Sequence, residues 1–274
     1  MNDLLKMSKG NKKLKNTLIF DLPAGKTCPM ANECQSYAVM NDNGKLTVKD
    51  GDKNKFRCFA ASQEAQYKNV YNARKYNLDL ILKTLRSKNG YFKTYELINA
   101  SIQKHITKSI DKVRIHSSGD FFNGEYLRSW FAVARLNPNL KFYCYSKSLH
   151  LFGTNVSIPD NFFLTASFGG KRDDLIHKGY FKRWAIVVNS EEEAIKKGIE
   201  HIGKPYKIDK DDSSCFKPDP FALLIHGTQK KGYFKNLESK FKKDRFTTIR
   251  KKDHFIIKDN MTSMNYINTL PSDY

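Results

Sequence analysis

Five cysteines, Cys28, Cys34, Cys58, Cys144 and Cys215, carry the most suggestive chemistry in this chain. Cys28 and Cys34 bracket the polar run Pro29-Met30-Ala31-Asn32-Glu33 just after an apolar segment, and Cys58 follows after 23 further residues, ahead of a helical pattern. Thiolates ligate soft and borderline metals, and a loop that follows a strand can turn several sulfurs toward one point. The spacing matches neither the tight knuckle of zinc ribbons nor the usual ferredoxin runs. The residues alone therefore leave an iron-sulfur cluster, a zinc site and a set of inert buried thiols all open. Cys215, in the polar loop Asp211-Asp212-Ser213-Ser214-Cys215, is a candidate fourth ligand. Cys144 lies inside an apolar run and reads as core.

A second constellation is Arg114-Ile115-His116-Ser117-Ser118-Gly119-Asp120-Phe121-Phe122, which puts small and charged residues where a buried strand should end. Ser118 and Asp120 can exchange hydrogen bonds with an amine or hydroxyl, and Gly119 permits close backbone approach. His116 has three readings, as core histidine, ligand or general acid, while Asp120 and Asn123 also read simply as turn and cap residues. The next two strand patterns end alike, in Tyr145-Ser146-Lys147-Ser148 and Ala166-Ser167-Phe168-Gly169-Gly170-Lys171. Lys147 and Lys171 are candidates to hold a phosphate or carboxylate. The expected cofactor-binding set is Ser118, Gly119, Asp120, His116 and Lys147. No catalytic residue is identified.

The elements that must position these groups are legible in the apolar periodicity. Strand patterns occur at Thr17 to Phe20, Val113 to Ser117, Phe142 to Ser146, Phe162 to Ser167, Trp184 to Asn189 and Phe221 to His226. Most are continuous apolar runs, as in parallel strands covered by helices. One or two helices are expected over Ala60 to Leu85, with Ala65, Val70, Ala73, Leu78, Ile81, Leu82 and Leu85 inward, and further helices over Tyr91 to Ile106 and Glu125 to Leu136. Asn123 caps the last of these, and Ser190 with Glu193 forms a capping box for a helix ending near His201. Val113 to Ser146 thus reads as a strand-helix-strand unit with a right-handed crossover. The fold class is α/β with a mostly parallel sheet, either a partial or complete barrel or an open sheet, and functional groups should gather at the carboxyl ends of the strands. Asn41 to Lys55 reads as a peripheral hairpin or loop. The expected division is a metal-binding α/β core over residues 1–227 and a basic appendage over 228–274.

Composition bounds the rest. The chain has 274 residues, 40% of them hydrophobic with 19 Phe and 14 Tyr, which is enough apolar material for a folded core. Its 48 Lys and Arg against 28 Asp and Glu give a formal charge of +20, and such a field attracts polyanions. Nucleic acid is the expected partner, although lysine-rich coding alone would give the same surface. From Gln229 to Lys258 there are 11 Lys or Arg against three acidic residues, with aromatics interleaved. Lys242, Lys243, Lys251 and Lys252 are the candidate nucleic-acid contacts there. No run approaches the roughly 18 to 20 apolar residues of a membrane helix, and Met1 to Lys15 lacks the apolar stretch of a signal peptide, so a cytoplasmic protein without membrane contact is expected.

Cys28-Pro29 to Cys34, Arg57 to Glu64, Arg114 to Phe121 and Phe142 to Ser148 together resemble the phage gene product 88 family, over roughly Thr17 to His226. That family in turn looks like the radical S-adenosylmethionine enzymes. The resemblance implies a barrel-like α/β fold, a 4Fe-4S cluster on Cys28, Cys34 and Cys58, and S-adenosylmethionine held by its amine at Ser118-Gly119-Asp120. Taken with the basic charge, it leads to the expectation of an enzyme acting on nucleic acid or nucleotides, in the host cytoplasm if the chain is phage-encoded. A closed four-cysteine cluster that includes Cys215, a non-catalytic nucleic-acid-binding protein with a structural zinc or cluster, and a protein directed at a host partner remain open alternatives.

Overall fold

The computed structural model describes residues 3–10, 13–153 and 156–237. The chain divides into a unit of residues 1–229 and a second of residues 230–274, of which 230–237 are described. Lys242, Lys243, Lys251 and Lys252 lie outside the described residues.

All six expected strands form, as β2 (Thr17–Phe20), β5 (Lys112–Ile115), β6 (Lys141–Ser146), β7 (Phe162–Ser167), β8 (Trp184–Val188) and β10 (Phe221–Leu224). They lie side by side in chain order, each parallel to the next. Two short strands, β1 (Met7–Lys9, antiparallel to β2) and β9 (Lys207–Ile208, parallel to β10), are the edges of this eight-stranded sheet. Among the described residues the edges do not pair with each other, so the sheet is open and they form no closed barrel. Among β2, β5, β6, β7, β8 and β10 the order never reverses, which leaves the helices on one face because each right-handed crossover returns on the same side.

That face carries the core. Phe20, Val113, Ile115, Phe142, Cys144 and Leu164 pack with Trp130, Tyr126, Phe131 and Ile98 of α3 (Gly90–His105) and α4 (Gly124–Leu136). Farther along the sheet, Ala166, Trp184, Ile186, Val188 and Ala222 meet Ala194 of α6 (Glu191–Ile202). Each large side chain buried here contributes about 1.5–3 kcal/mol. The opposite face shows Arg114, Tyr143, Tyr145 and Phe163, covered by the 3-10 turn Ser213–Phe216. Cys144 is fully buried, as its strand pattern requires.

Both expected caps form: Asn123 Oδ1 accepts the Tyr126 N–H at 2.8 Å, and Ser190 Oγ accepts the Glu193 N–H at 3.2 Å. The helical stretch from residue 59 breaks at Tyr67, whose extended backbone separates α1 (Phe59–Gln66) from α2 (Lys68–Leu85). The inward row of these helices differs from the apolar one expected. Glu64, Arg74, Asn77 and Ile81 are buried, whereas Ala65, Val70, Ala73 and Leu82 are not fully so. The polar members face loop backbone that needs partners: the Asn77 amide bonds the Lys6 N–H and the Lys6 and Asp21 carbonyls. The stretch from Asn41 is the turn and returning strand of a hairpin, β3 (Ser36–Met40) with β4 (Leu46–Asp50).

Candidate metal centre

The carboxyl end of β2 runs into Asp21-Leu22-Pro23-Ala24-Gly25 and then the cysteine loop 28–34. Two neighbouring segments clamp this loop. At the end of β5, Gly119 has φ +91° and lies so close that a Cβ there would stand 2.6 Å from Thr27 Oγ1 and 2.8 Å from Leu22 Cβ. After β7, Gly169 O accepts the Asn32 and Glu33 N–H groups, both at 3.0 Å, while Ala31 and Gly170 form an antiparallel bridge. Lys171 completes that clamp: its N–H donates to Met30 O at 2.8 Å and its Nζ to Pro29 O at 2.9 Å. Lys171 is thus bound to the cysteine loop itself.

The hairpin β3–β4 leaves this loop and returns to it. Gly51 N–H donates to Gln35 O at 2.9 Å, and Lys55 N–H to Glu33 O at 2.9 Å. The chain therefore re-enters beside Glu33, with Lys55, Phe56 and Arg57 standing before Cys58. The Arg57–Asp50 ion pair at 2.6 Å and the bond from Cys58 N–H to Ser36 Oγ at 3.1 Å pin the return. Cys58 is the N-cap of α1.

Cys28, Cys34 and Cys58 are free and half-buried. They lie close enough to feel one another's charge. Burial pushes the Cys28 thiol well above its ordinary value, helped by Asp120, Cys58 and Cys34. Cys58 is pushed up to about 11, by burial first and by Cys34 second, against the Ala61 and Ala60 N–H groups at the helix start. Cys28 and Cys58 thus hold their protons at neutral pH, which argues against a nucleophilic role for either and leaves the proton for a metal to displace. Among the described residues, no three His, Cys, Asp or Glu side chains group tightly enough to share one ion.

Of the expected cofactor-binding residues, Lys147 and Asp120 stand with these thiols. Burial alone would lower the Lys147 pKa, but Cys34, Asp120, Cys28 and Asp173 outweigh it and hold the ammonium charged. Its Nζ donates to Ser167 Oγ at 2.7 Å. Asp120 joins the ends of β5 and β6: Oδ1 accepts the Phe121 N–H and the Ser146 hydroxyl, both at 2.7 Å, and Oδ2 accepts the Lys147 N–H at 2.8 Å. Ser118 Oγ is turned to Glu64 Oε1 at 3.2 Å. His116 lies among Phe20, Phe121 and Tyr126, with Nε2 2.8 Å from the Tyr126 hydroxyl, and burial lowers its pKa to about 3. It is a neutral core histidine. Cys215 is not brought to the three early cysteines; it is buried on the sheet face opposite the helices, beside Tyr145 and Thr165, where Arg114, Tyr143 and Tyr145 converge on Asp212.

Three positioning residues were not singled out from the sequence: Asp21, Glu64 and Arg74. Arg74 donates to Asp21 Oδ2 at 3.0 Å and to Glu64 Oε1 at 3.1 Å. Asp21 Oδ1 accepts the Ser117 hydroxyl at 2.6 Å and the Ser118 N–H at 3.0 Å, while Glu64 accepts the Ala24 N–H at 2.9 Å. This triad fastens the β2 loop, α1, α2 and the Ser117–Ser118 corner together. Its signal was present: Arg74 and Asn77 occupy the helical face of Ile81, and Asp21 directly follows a buried strand.

The fold and the site define an α/β protein whose parallel strands run in chain order and carry three cysteines at their carboxyl lip. The chain belongs to the gene product 88 family, whose model matches residues 2–252. Comparisons with curated proteins and with solved structures return no match. No helix among the described residues is long and apolar enough to cross a membrane.

Proposed function

We propose that this is an iron-sulfur protein of phage or mobile-element type, in which Cys28, Cys34 and Cys58 hold a 4Fe-4S cluster and one iron is left open to S-adenosylmethionine, as in a radical-type enzyme. The supporting observation is the hairpin return. Because the chain re-enters beside Glu33, Cys58 returns to the segment that carries Cys34, and Cys34 acts on the Cys58 thiol despite the 23 residues between them. Cys215 interacts with Tyr145 and Thr165 and is not among the groups that act on Cys28 or Cys58, which favours three ligands over four.

In this reading Cys28, Cys34 and Cys58 would hold a cluster, which when bound would supply a low-potential electron. The chain's own residues bind and orient. The Ser118-Gly119-Asp120 corner would hold the ligand amine, for which Asp120 keeps one of its roughly four acceptor positions beyond its three bonds. Its backbone is fixed by Asp21 and, through Ser118, by Glu64. The formal charge of +20 favours a nucleic acid or nucleotide as substrate, with Lys242, Lys243, Lys251 and Lys252 as its contacts.

The test is iron and sulfide analysis with a visible spectrum on anaerobically purified protein. The expected result is a brown protein with about four irons and four sulfides per chain, lost in Cys58→Ala and retained in Cys215→Ala. A colourless wild type with one zinc per chain would overturn the proposal and favour a nucleic-acid-binding protein with a structural metal.

A further inference from the structure

We infer that Lys147 sets the charge of this centre: its ammonium, held in place by Ser167, raises the reduction potential of the cluster on Cys28, Cys34 and Cys58. The inference rests on the iron-sulfur reading and names the residue that tunes it.

Lys147 is held at three points. Its N–H is bound to Asp120 Oδ2 at 2.8 Å, which fixes the backbone where β6 ends. Its Cβ lies beside Gly170, where an added Cβ would stand 3.1 Å away, and Gly170 is bridged to Ala31 of the cysteine loop. Its Nζ reaches across to Ser167 Oγ at the end of β7. A lysine tethered at both ends has lost most of its rotamer freedom, so its charge stands at a defined place beneath the loop.

The surrounding charges make that place consequential. Asp120 and Asp173 both act on the ammonium, and Asp173 is committed to the Gly169 and Gly170 N–H groups. Of the other cations near the loop, Lys55 is paired with Glu33 and Arg57 with Asp50, while Lys171 is bonded to the Pro29 carbonyl of the loop itself. When three thiols exchange their protons for iron, the lip becomes strongly anionic, and Lys147, whose Cβ stands beside Gly170, is a half-buried cation on which Cys34 and Cys28 act. A fixed positive charge stabilises the reduced, more negative state of a redox centre more than the oxidised one, and partial burial strengthens the effect. Without it, reduction is disfavoured.

The experiment is an anaerobic redox titration of the cluster-loaded protein, followed by its visible absorption, with iron and sulfide counted in every sample. Lys147→Met should keep the cluster and shift the one-electron equilibrium at least tenfold toward the oxidised form, which is about 59 mV lower in potential. Lys147→Arg, which keeps the charge, should stay near the wild type, and Ser167→Ala, which frees the ammonium, should fall between. Lys147→Gln removes the charge while keeping a donor for Ser167 and replaces the Met variant if that one does not fold. A fully loaded neutral variant with wild-type potential would overturn the inference alone. Loss of the cluster from the Arg and neutral variants alike would make Lys147 a packing residue and overturn it too. A wild type without iron would remove the iron-sulfur reading and this inference with it.

Discussion

Replacing Arg74 with methionine tests the frame that holds the lip. Methionine keeps the apolar stem but removes every donor: the bonds to Ala60 O at 3.2 Å, Glu64 at 3.1 Å, Asp21 at 3.0 Å and Gln63 at 2.7 Å are all lost. Two carboxylates are then left without their cation. Glu64, at 1% exposure, has no access to water, whereas Asp21 at 17% keeps some, along with the Ser117 and Ser118 donors. Removing one partner of a buried ion pair costs about 3–5 kcal/mol, and the partial exposure of Asp21 places the loss near ~4 kcal/mol. For a chain of this size that lowers Tm by roughly 8–16 °C. The pH dependence follows from the stranded acid. Burial already raises the Glu64 pKa above 4.5, against the bonds from the Ala24 N–H, Arg74 and Ser118, and without Arg74 it rises further. A raised carboxyl pKa means that the folded state holds the proton more tightly, so the variant regains part of its stability as pH falls toward 4.5 and loses it as pH rises. Adding Glu64→Gln removes the stranded charge and should restore about 2 kcal/mol at neutral pH. Urea and thermal unfolding read both effects. A loss under about 1 kcal/mol for Arg74→Met, or a double variant no more stable than the single one, would refute the triad as a coupled unit.

Gly119→Ala forces a Cβ against Thr27 Oγ1 and Leu22 Cβ at a backbone φ of +91°, so it should cost about 3 kcal/mol in urea unfolding; a cost below roughly 1 kcal/mol would show that the β2 loop yields easily. His116, with its pKa lowered to about 3 by burial, is neutral in the fold and charged in the unfolded chain at mild acidity. Its contribution is therefore complete above about pH 6.5 and lost as pH falls from there toward 3. His116→Asn suits the left-handed backbone at φ +65° and does not titrate. Between about pH 7 and pH 4 the wild type should lose on the order of 3 kcal/mol relative to this variant, and parallel acid profiles would contradict the buried neutral ring.

Much of the fold was legible because local pattern and tertiary position agree in it. Thr17 to Phe20 and Phe142 to Ser146 are continuous apolar runs, and each becomes a parallel strand whose helix-side face is fully buried. The edge strands were missed for the opposite reason. Met7–Lys9 and Lys207–Ile208 are short and half polar, and they exist only because a neighbouring strand offers its free edge. The polar face of α1 and α2 escaped periodicity as well, since a buried Arg74 or Glu64 is permitted only by partners far away in the chain, at Asp21 and Ala24. His116 was ambiguous for a related reason: a lone histidine declares its role only through its neighbours, here Phe121 and Tyr126.

The cysteines show most clearly how sequence spacing and spatial spacing part company. Five residues separate Cys28 from Cys34 and 23 separate Cys34 from Cys58, so a rule on spacing sees a loose, unmatched set. Yet the antiparallel pairing of β3 with β4 brings Ser36 opposite Asp50, and the bonds at Gln35 and Glu33 close the insertion at its base. A hairpin closed in this way adds length to the chain without adding distance to the loop that carries it. What then fixes the site is the lip beneath it: Gly119, Gly169 and Gly170 admit the loop backbone, and Asp120 and Lys147 are fastened below its thiols. These glycines and charges sit at the ends of β5, β6 and β7, three strands that are adjacent only because the sheet winds in one direction. The site therefore depends on two separable features, a strand order that gathers the lip and a hairpin that can lengthen or shorten without moving the sulfurs. Shortening the exposed Asn41–Lys45 turn should leave Cys34 and Cys58 together, whereas loosening the Glu33–Lys55 closure should separate them.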